Sequence, residues 1–416
     1  MMQPSFQTLF SQGLFVVHIL ERIILSVKKN VYIMYAIALM QGMVFYAPVS
    51  MLYRQAQGIS YFQIAMLESI SLLFMLALEI PWGVAADRIG YRNTMIICEI
   101  LFFISKLLFW RAYGFWGFLG ERILLSAALA GLSGVDTSML YLSCQRQEDS
   151  QKAFGIYSSM GTIGLLFASG VFTLLVGDNY RLAGLLTVVS YGIAAALAFG
   201  LTEVKVRESR GFPTEYFRET LGKVLRDRRL LLLLLAVALL SETHQTVTVF
   251  LNQLQYERCG LGSAAMGGVY MAATVIGMCG AWSAAVTKKL GAHGVFALFS
   301  TLGVLACIVL AITCNAILSV AGILMLCLTD SLFQPFQTEI QHRQVQTGNR
   351  ATALSVHAML IDGVGIGTNL VFGALTKASL SAAFLFGGGI CLLSLLFFSL
   401  WARDGKATTG SVMETK

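Results

Sequence analysis

The groups in this sequence with the clearest capacity for chemistry are carboxyl, amide and guanidinium side chains set inside long apolar runs. Glu242 sits near the middle of the run 230–254, within Ser241-Glu242-Thr243-His244-Gln245. A charge at mid-membrane costs about 2.5–3.5 kcal/mol on insertion scales, so a carboxyl there points to a protonatable site. On a helix, His244 projects about 200° from Glu242, whereas Gln245 at i+3 lies on its side. Asp330, in the run 316–341, is followed by Gln334 and Gln337, a stripe of one carboxylate and two amides suited to a polar or cationic ligand. Pro335 beside the stripe is placed to break the helix locally and free carbonyls for binding. Gln41, Glu68, Glu79, Lys106 and Asp362 are further polar groups inside apolar runs, and Arg122 adjoins Glu121 at the start of another. Each has a structural alternative. Glu242 can be a hydrogen-bonded strut, the Asp330 stripe a Pro-kinked packing helix, and Glu121-Arg122 a local charge pair.

An enzyme is the competing class. His357 and Asp362 have the His-x4-Asp spacing of some acyltransferases, but a five-residue helical step separates them by about 140°. They cannot jointly activate a hydroxyl, so a membrane-embedded enzyme is a remote alternative and no enzymatic activity is expected. There is no Gly-rich nucleotide loop. Of eight cysteines none forms a CxxC pair, and no His or Cys cluster has metal-ligand spacing, so neither metal nor cofactor is expected and the thiols read as inert.

The elements that must position these groups are transmembrane helices. Across 416 residues, 56% are apolar and 12% charged, about half the charge density of a soluble protein. Mean hydropathy is +0.73. Apolar runs able to cross about 30 Å of hydrocarbon as helices fall near 31–52, 60–84, 94–113, 115–143, 153–177 and 181–202. A charged connector, 203–229, follows. Six more runs lie near 230–254, 262–286, 294–313, 316–341, 351–376 and 379–402.

The expected fold is an all-α membrane protein of twelve transmembrane helices in two pseudo-symmetric six-helix bundles. Its parts are an interfacial helix over 1–30, bundles over 31–202 and 230–402, the connector, and a tail over 403–416. In the connector, Phe217, Leu221, Val224 and Leu225 recur at helical spacing among basic residues, which predicts an amphipathic helix over 214–229 lying on a membrane surface. A disordered tether is the alternative. The +7 net charge is concentrated between spans rather than in a nucleic-acid-binding patch. Arg88, Arg92, Lys288, Lys289, Arg343 and the basic connector fall on one side, against Arg54, Arg111, Arg181, Arg258 and Lys377 on the other. That asymmetry predicts a multi-pass plasma-membrane protein with both termini cytoplasmic.

The most specific stretch is Gly83-Val84-Ala85-Ala86-Asp87-Arg88-Ile89-Gly90-Tyr91-Arg92, between the second and third spans. Gly90 permits a tight turn, Asp87 can accept backbone N–H groups at a helix start, and Arg88 and Arg92 can pair with carboxylates on neighbouring helix ends. Gly83, Asp87, Arg88, Gly90 and Arg92 resemble the loop between spans 2 and 3 of the major facilitator superfamily of secondary transporters, with Tyr91 departing from one basic position. At an offset of about 200 residues, Asp87-Arg88-Ile89-Gly90 aligns with Lys288-Lys289-Leu290-Gly291, and Lys152-Ala153-Phe154-Gly155 with Arg350-Ala351-Thr352-Ala353.

The resemblance implies a central cavity lined by spans 1, 4, 7 and 10, with 2, 5, 8 and 11 flanking. It places Glu242, Asp330, Gln334, Gln337, Gln41, Arg122 and Gln245 among proton-coupling or substrate-binding candidates. Arg122 is similar to the span-4 arginine of proton-coupled drug antiporters, although Leu125 and Ser126 replace that motif's Gln and Gly. The opening loop becomes a cytoplasmic latch. Its usual acidic partner is Leu142 here, which leaves Asp136, Glu148, Asp149, Glu79 or the start of span 11 at Arg350 to Thr352. The implied function is secondary active transport of a small molecule by a monomer in the lipid bilayer, with protons as partner. Efflux of a drug or metabolite is favoured over uptake of a small polar solute, and no nucleic acid is involved.

Overall fold

The computed structural model describes residues 29–144, 147–204, 221–344 and 350–413. The expected helix over 1–30 and the first part of the connector helix lie outside them, apart from residues 29 and 30. Every regular element among the described residues is helical. Eleven stretches are long and apolar enough to cross a membrane. One of them, Ser263–Ile312, runs 50 residues, about 75 Å as a helix against about 30 Å of hydrocarbon. It is interrupted at Gly291, whose φ of 71° and ψ of 166° are not helical. It therefore makes two crossings, and the eleven stretches make twelve, the number that hydropathy predicts.

In chain order the crossings are α1 (Lys29–Ala56), α2 (Tyr61–Ile89), α3 (Tyr91–Arg111), α4 (Gly114–Ser143), α5 (Lys152–Val176), α6 (Tyr180–Ala198), α7 (Arg228–Arg258), α8 (263–290), α9 (292–312), α10 (Ala316–Gln344), α11 (Arg350–Ala378) and α12 (Leu380–Met413). Local chemistry sets several starts. Ser60 Oγ accepts from the Gln63 amide at 3.3 Å while the Gln63 side chain accepts from the Ser60 amide at 2.8 Å, a reciprocal cap that opens α2. Asp227 accepts from the Leu230 amide at 3.0 Å and opens α7.

The α2–α3 and α8–α9 turns share one end of the molecule with the connector, here the near end. The α1–α2 and α7–α8 turns share the other, the far end. Each of the two near-end turns is a single glycine, and the two have the same backbone conformation: Gly90 has φ 86° and ψ 156°, Gly291 φ 71° and ψ 166°. L-residues with a side chain are strained there. The internal repeat is therefore present in the backbone.

Packing divides along the membrane normal. In the far half one apolar core runs through both bundles, joining Tyr46, Tyr53, Phe109 and Phe172 to Leu251, Phe372 and Phe384. In the near half there are two cores. Met34, Met95, Met139 and Leu140 belong to the N-terminal bundle, α1–α6; Phe296, Phe299, Phe333 and Phe398 belong to the C-terminal bundle, α7–α12. Bonds between bundles lie in the far half: the Met51 amide donates to Gln253 at 2.8 Å, and Tyr180 and Ser263 share a 3.0 Å hydrogen bond. Gly373 of α11 meets α2 so closely that an added Cβ would come within 2.5 Å of the Ala65 methyl. The bundles are thus joined at the far end and separately packed at the near end.

Two sequence expectations need correction. Arg54 is not a loop residue: it lies in the helical segment Ser50–Ala56 and is 4% exposed, because its guanidinium reaches the Glu68 carboxylate at 3.0 Å. Asp87 lies in the last turn of α2, not at a helix start. The start of α3 is served instead by Glu203, whose carboxylate accepts from the Tyr91 amide at 3.1 Å and the Arg92 amide at 3.2 Å.

Within the connector, residues 221–226 are helical. Val224 packs on Leu234 of α7 and Val356 of α11, which ties this part of the connector to the C-terminal bundle.

Candidate functional site

Glu242 is buried on α7 and faces α11, where Gly365 leaves room for it. A Cβ at Gly365 would lie 2.7 Å from the carboxyl carbon and 2.8 Å from each oxygen. Asp362, one turn earlier on α11, is within electrostatic reach of both Glu242 and Glu79 of α2. Exposure falls along this row, from exposed Glu79 through half-buried Asp362 to buried Glu242. The three carboxyls therefore lead from the α2–α11 contact to the interior of the C-terminal bundle.

His244 turns away, as its helical offset requires. Its Nε2 lies 3.1 Å from Thr329 Oγ1 of α10, and its ring is buried against Phe333. One residue further, Gln245 is exposed while Glu242 is buried, so the two do not form one face. The roughly 60° between i and i+3 is enough to carry one side chain past the α11 contact that covers the other. From Thr246 to Leu251 α7 widens into a π-turn, and Thr246 donates to Asn369 of α11 at 3.1 Å.

On α10, Asp330 is half-buried and accepts from Gln334 at 3.4 Å, while Gln337 continues the stripe with its carbonyl oxygen buried and unpartnered. Pro335 does not open this helix for a ligand. The chain stays helical from Ala316 to Gln344, and the Ser331 carbonyl, four residues before the proline, packs on Gly280, where an added Cβ would approach to 2.9 Å.

The N-terminal bundle carries a second polar constellation around a break in α1. The helix stops at Gly42 and resumes through a 3₁₀ turn at Ala47–Val49. Its irregular backbone is held by α6: Tyr191 donates to the Gln41 carbonyl at 3.0 Å, Ser190 to the Met43 carbonyl at 3.0 Å, and the Phe45 amide to Thr187 at 3.0 Å. Backbone groups inside a span need such partners. The Gln41 amide donates to Glu99 of α3 at 2.7 Å. Asp136 of α4 accepts from the Thr137 amide at 2.6 Å and lies within electrostatic reach of Tyr157 of α5.

Arg122 lies in a different cluster in the far half. It pairs with Glu68 of α2 and, at 3.7 Å, with Glu121, while Arg54 also reaches Glu68. The expected local pair with Glu121 is thus one edge of a buried network of two arginines and two glutamates from α1, α2 and α4.

At the near-end loop, Arg88 is exposed and the Arg92 guanidinium donates to the Leu201 carbonyl at 2.7 Å and the Phe199 carbonyl at 3.4 Å rather than to a carboxylate. The carbonyls ending α6 are natural acceptors for a cation there. Gly83 lies on the exposed side of α2, and Asp136 faces Tyr157. The side chains of Asp87, Glu148, Asp149 and Arg350 to Ala353 lie outside the described residues.

Glu99, Tyr157 and Glu203 were not singled out from sequence. Glu99 had a legible signal, an acid inside the apolar run 94–113. The break in α1 had a weaker one in Gly42 and Pro48. Glu203 had none, since nothing local distinguishes it from other connector charges. Among the described residues no group of His, Cys, Asp and Glu could hold a metal ion.

Comparison with known proteins now has a geometry to attach to. The profile of the Major Facilitator Superfamily matches residues 31–368. No curated protein matches the sequence. Among solved structures, the nucleoside transporter NupG superposes with a TM-score of 0.72 at 14% identity, over 91% of this chain and 98% of that one. A POT family transporter in complex with 5-aminolevulinic acid gives 0.71 at 12% identity, over 90% and 96%. The D-xylose-proton symporter gives 0.67 at 15% identity, over 90% and 97%. At these identities the likeness is one of fold.

Proposed function

The chain belongs to the Major Facilitator Superfamily, and we propose that it is a secondary active transporter that moves a small molecule by alternating access, coupled to protons and directed to efflux. The observation that carries this reading is the division of the core: one apolar core spans both bundles in the far half, and each bundle has its own in the near half. Two rigid bodies packed in this way can rock about a midplane site without either bundle being repacked. Moving one charge through 100 mV is worth about 2.3 kcal/mol, so protonation of a membrane-embedded carboxyl can bias the two states.

Glu242 is the first choice for that carboxyl and Asp330 the second, with Gln41, Arg122, Gln245, Gln334 and Gln337 as further coupling or binding groups. Near-end residues Gly83, Asp87, Arg88, Gly90 and Arg92, with Asp136, form a latch that closes when the cavity opens to the far side. The near end is cytoplasmic, as are both termini, and the protein works as a monomer in the plasma membrane without enzymatic activity. The division into an interfacial helix, two bundles, connector and tail follows the same reading. Proton coupling is within the repertoire of the fold, which the D-xylose-proton symporter shares. Uptake of a small polar solute is the second reading, favoured by the Asp330–Gln334 hydrogen bond on α10.

The test is Glu242→Gln in proteoliposomes. The variant should insert and express normally yet lose proton-coupled flux; pH-dependent transport at the wild-type rate would remove Glu242 from the mechanism.

A further inference from the structure

We propose that the groove between α1 and α5, beside the break at Gln41, is a binding site for the ammonium group of an organic amine. The groove has a volume of about 470 Å³ and is lined by Gln41, Tyr157, Ser158 and Thr162 on otherwise largely aliphatic walls. That volume suits a small organic molecule. Its walls are fixed by backbone contact: Gly42 lies against the Gly161 carbonyl, and Gly164 against the Leu39 carbonyl.

The inference comes from counting which hydrogens on this wall are already committed. One Gln41 amide hydrogen goes to Glu99 at 2.7 Å, and the other stays available as a donor. The Tyr157 phenol is within electrostatic reach of Asp136. The Thr162 hydroxyl donates to the Ser158 carbonyl at 3.2 Å. What these three side chains share is oxygen lone pairs: the Gln41 carbonyl, the phenol oxygen and the threonine oxygen. The second Gln41 amide hydrogen and the Ser158 hydroxyl can still donate.

Behind the wall stand two carboxyls. Glu99 is wholly buried, its Oε2 has no hydrogen-bond partner, and it is within electrostatic reach of Asp136. The nearest cations on α3, Arg92 and Lys106, are each two turns from Glu99 and turned to other partners: the Arg92 guanidinium donates to the Leu201 carbonyl, and Lys106 Nζ lies 5.2 Å from the centre of the Tyr191 ring. Three acceptor oxygens backed by two acids match a ligand that brings several donors and positive charge, which describes an ammonium group. A carboxylate or phosphate ligand would instead face the Glu99 and Asp136 carboxyls. The break in α1 is an independent pointer, because discontinuous spans recur where membrane carriers hold their ligands.

The transport role of this site rests on the reading above, but its binding chemistry does not, so the two can be tested apart. The full-length purified chain is titrated calorimetrically with three probes of one shape: 2-phenylethylamine, 2-phenylethanol and 3-phenylpropanoate. The amine should bind at least about tenfold more tightly than the alcohol, as expected for a charged hydrogen bond, and the carboxylate should not bind measurably. Glu99→Gln and Gln41→Leu should each weaken the amine by about tenfold and leave the alcohol unchanged. Tyr157→Phe, a surface-preserving change, covers the case in which a buried variant fails to fold and should weaken the amine several-fold.

Equal affinity for amine and alcohol in the wild type, or unchanged amine affinity in the folded variants, would overturn the proposal. Amine binding without flux in proteoliposomes would uphold the site and defeat the transport reading. Flux of the alcohol or carboxylate without preference for the amine would uphold transport and defeat the site.

Discussion

In the N-terminal bundle the turn glycine Gly90 sits against the Glu203 carboxylate, where an added Cβ would come within 2.5 Å of an oxygen; its counterpart Gly291 in the C-terminal bundle has open space around it. The two turns have the same backbone, so the repeat sets the conformation, while the carboxylate packed on the glycine belongs to one copy only. The buried carboxyls differ in a parallel way. Glu99 in the first bundle is tied to the Gln41 amide, whereas Glu242 in the second lies against a backbone glycine. A carboxyl held by a fixed donor suits binding, and one without such a donor suits a change of protonation state. On the proposed function, the bundles share a scaffold and divide the work.

The sharpest way to break this division is to neutralise both acids in turn. Glu242→Gln should lower the rate of proton-driven flux by about 100-fold, equivalent to about 2.7 kcal/mol. Glu99→Gln should instead raise KM for an amine substrate and leave kcat within a few-fold. Equal loss of kcat in both would erase the distinction.

A milder perturbation acts through α11. Gly365→Ala should displace the Glu242 carboxyl and reduce flux by about tenfold, about 1.4 kcal/mol, whereas Gly363→Ala, with nothing within 4 Å of its added Cβ, should transport like the wild type. Flux assays in proteoliposomes with the two variants side by side read the difference.

The two turns provide the comparison in stability. Gly90→Ala should cost about 2–3 kcal/mol, backbone strain plus displacement of Glu203, and Gly291→Ala about 1–2 kcal/mol from strain alone. Unfolding midpoints in detergent should rank wild type, Gly291→Ala and Gly90→Ala in falling order. The smallest effect is that of Glu203→Ala, which removes the acceptor at the start of α3 and should cost about 1 kcal/mol. Reversal of the order between the two glycines would show that Glu203 does not matter.

The scaffold was legible in the sequence because a bilayer allows few alternatives. Each crossing must be a long apolar helix, so twelve runs, the connector and the Gly90/Gly291 echo could be read directly. Partners across helices were not legible, since hydropathy does not encode how each helix is rotated. Arg54 looked like a loop cation and proved to be buried against Glu68. Gln245 looked like a companion of Glu242 and proved to be exposed. Glu203 looked like one more connector charge and proved to hold the start of α3. In each case the deciding contact came from a different element of the chain.

The central claim is that the bundles rock, closing at one end as they open at the other. It is tested most directly by electron-spin distance measurements in lipid, after replacing the eight native cysteines and labelling two pairs of exposed positions. Val84 and Leu290 report on the near end, Tyr113 and Ile317 on the far end. On acidification from about pH 8 to about pH 5, or on adding substrate, the two distances should change in opposite directions, the near-end pair shortening as the far-end pair lengthens. Two distances that stay fixed, or that change together, would contradict the account.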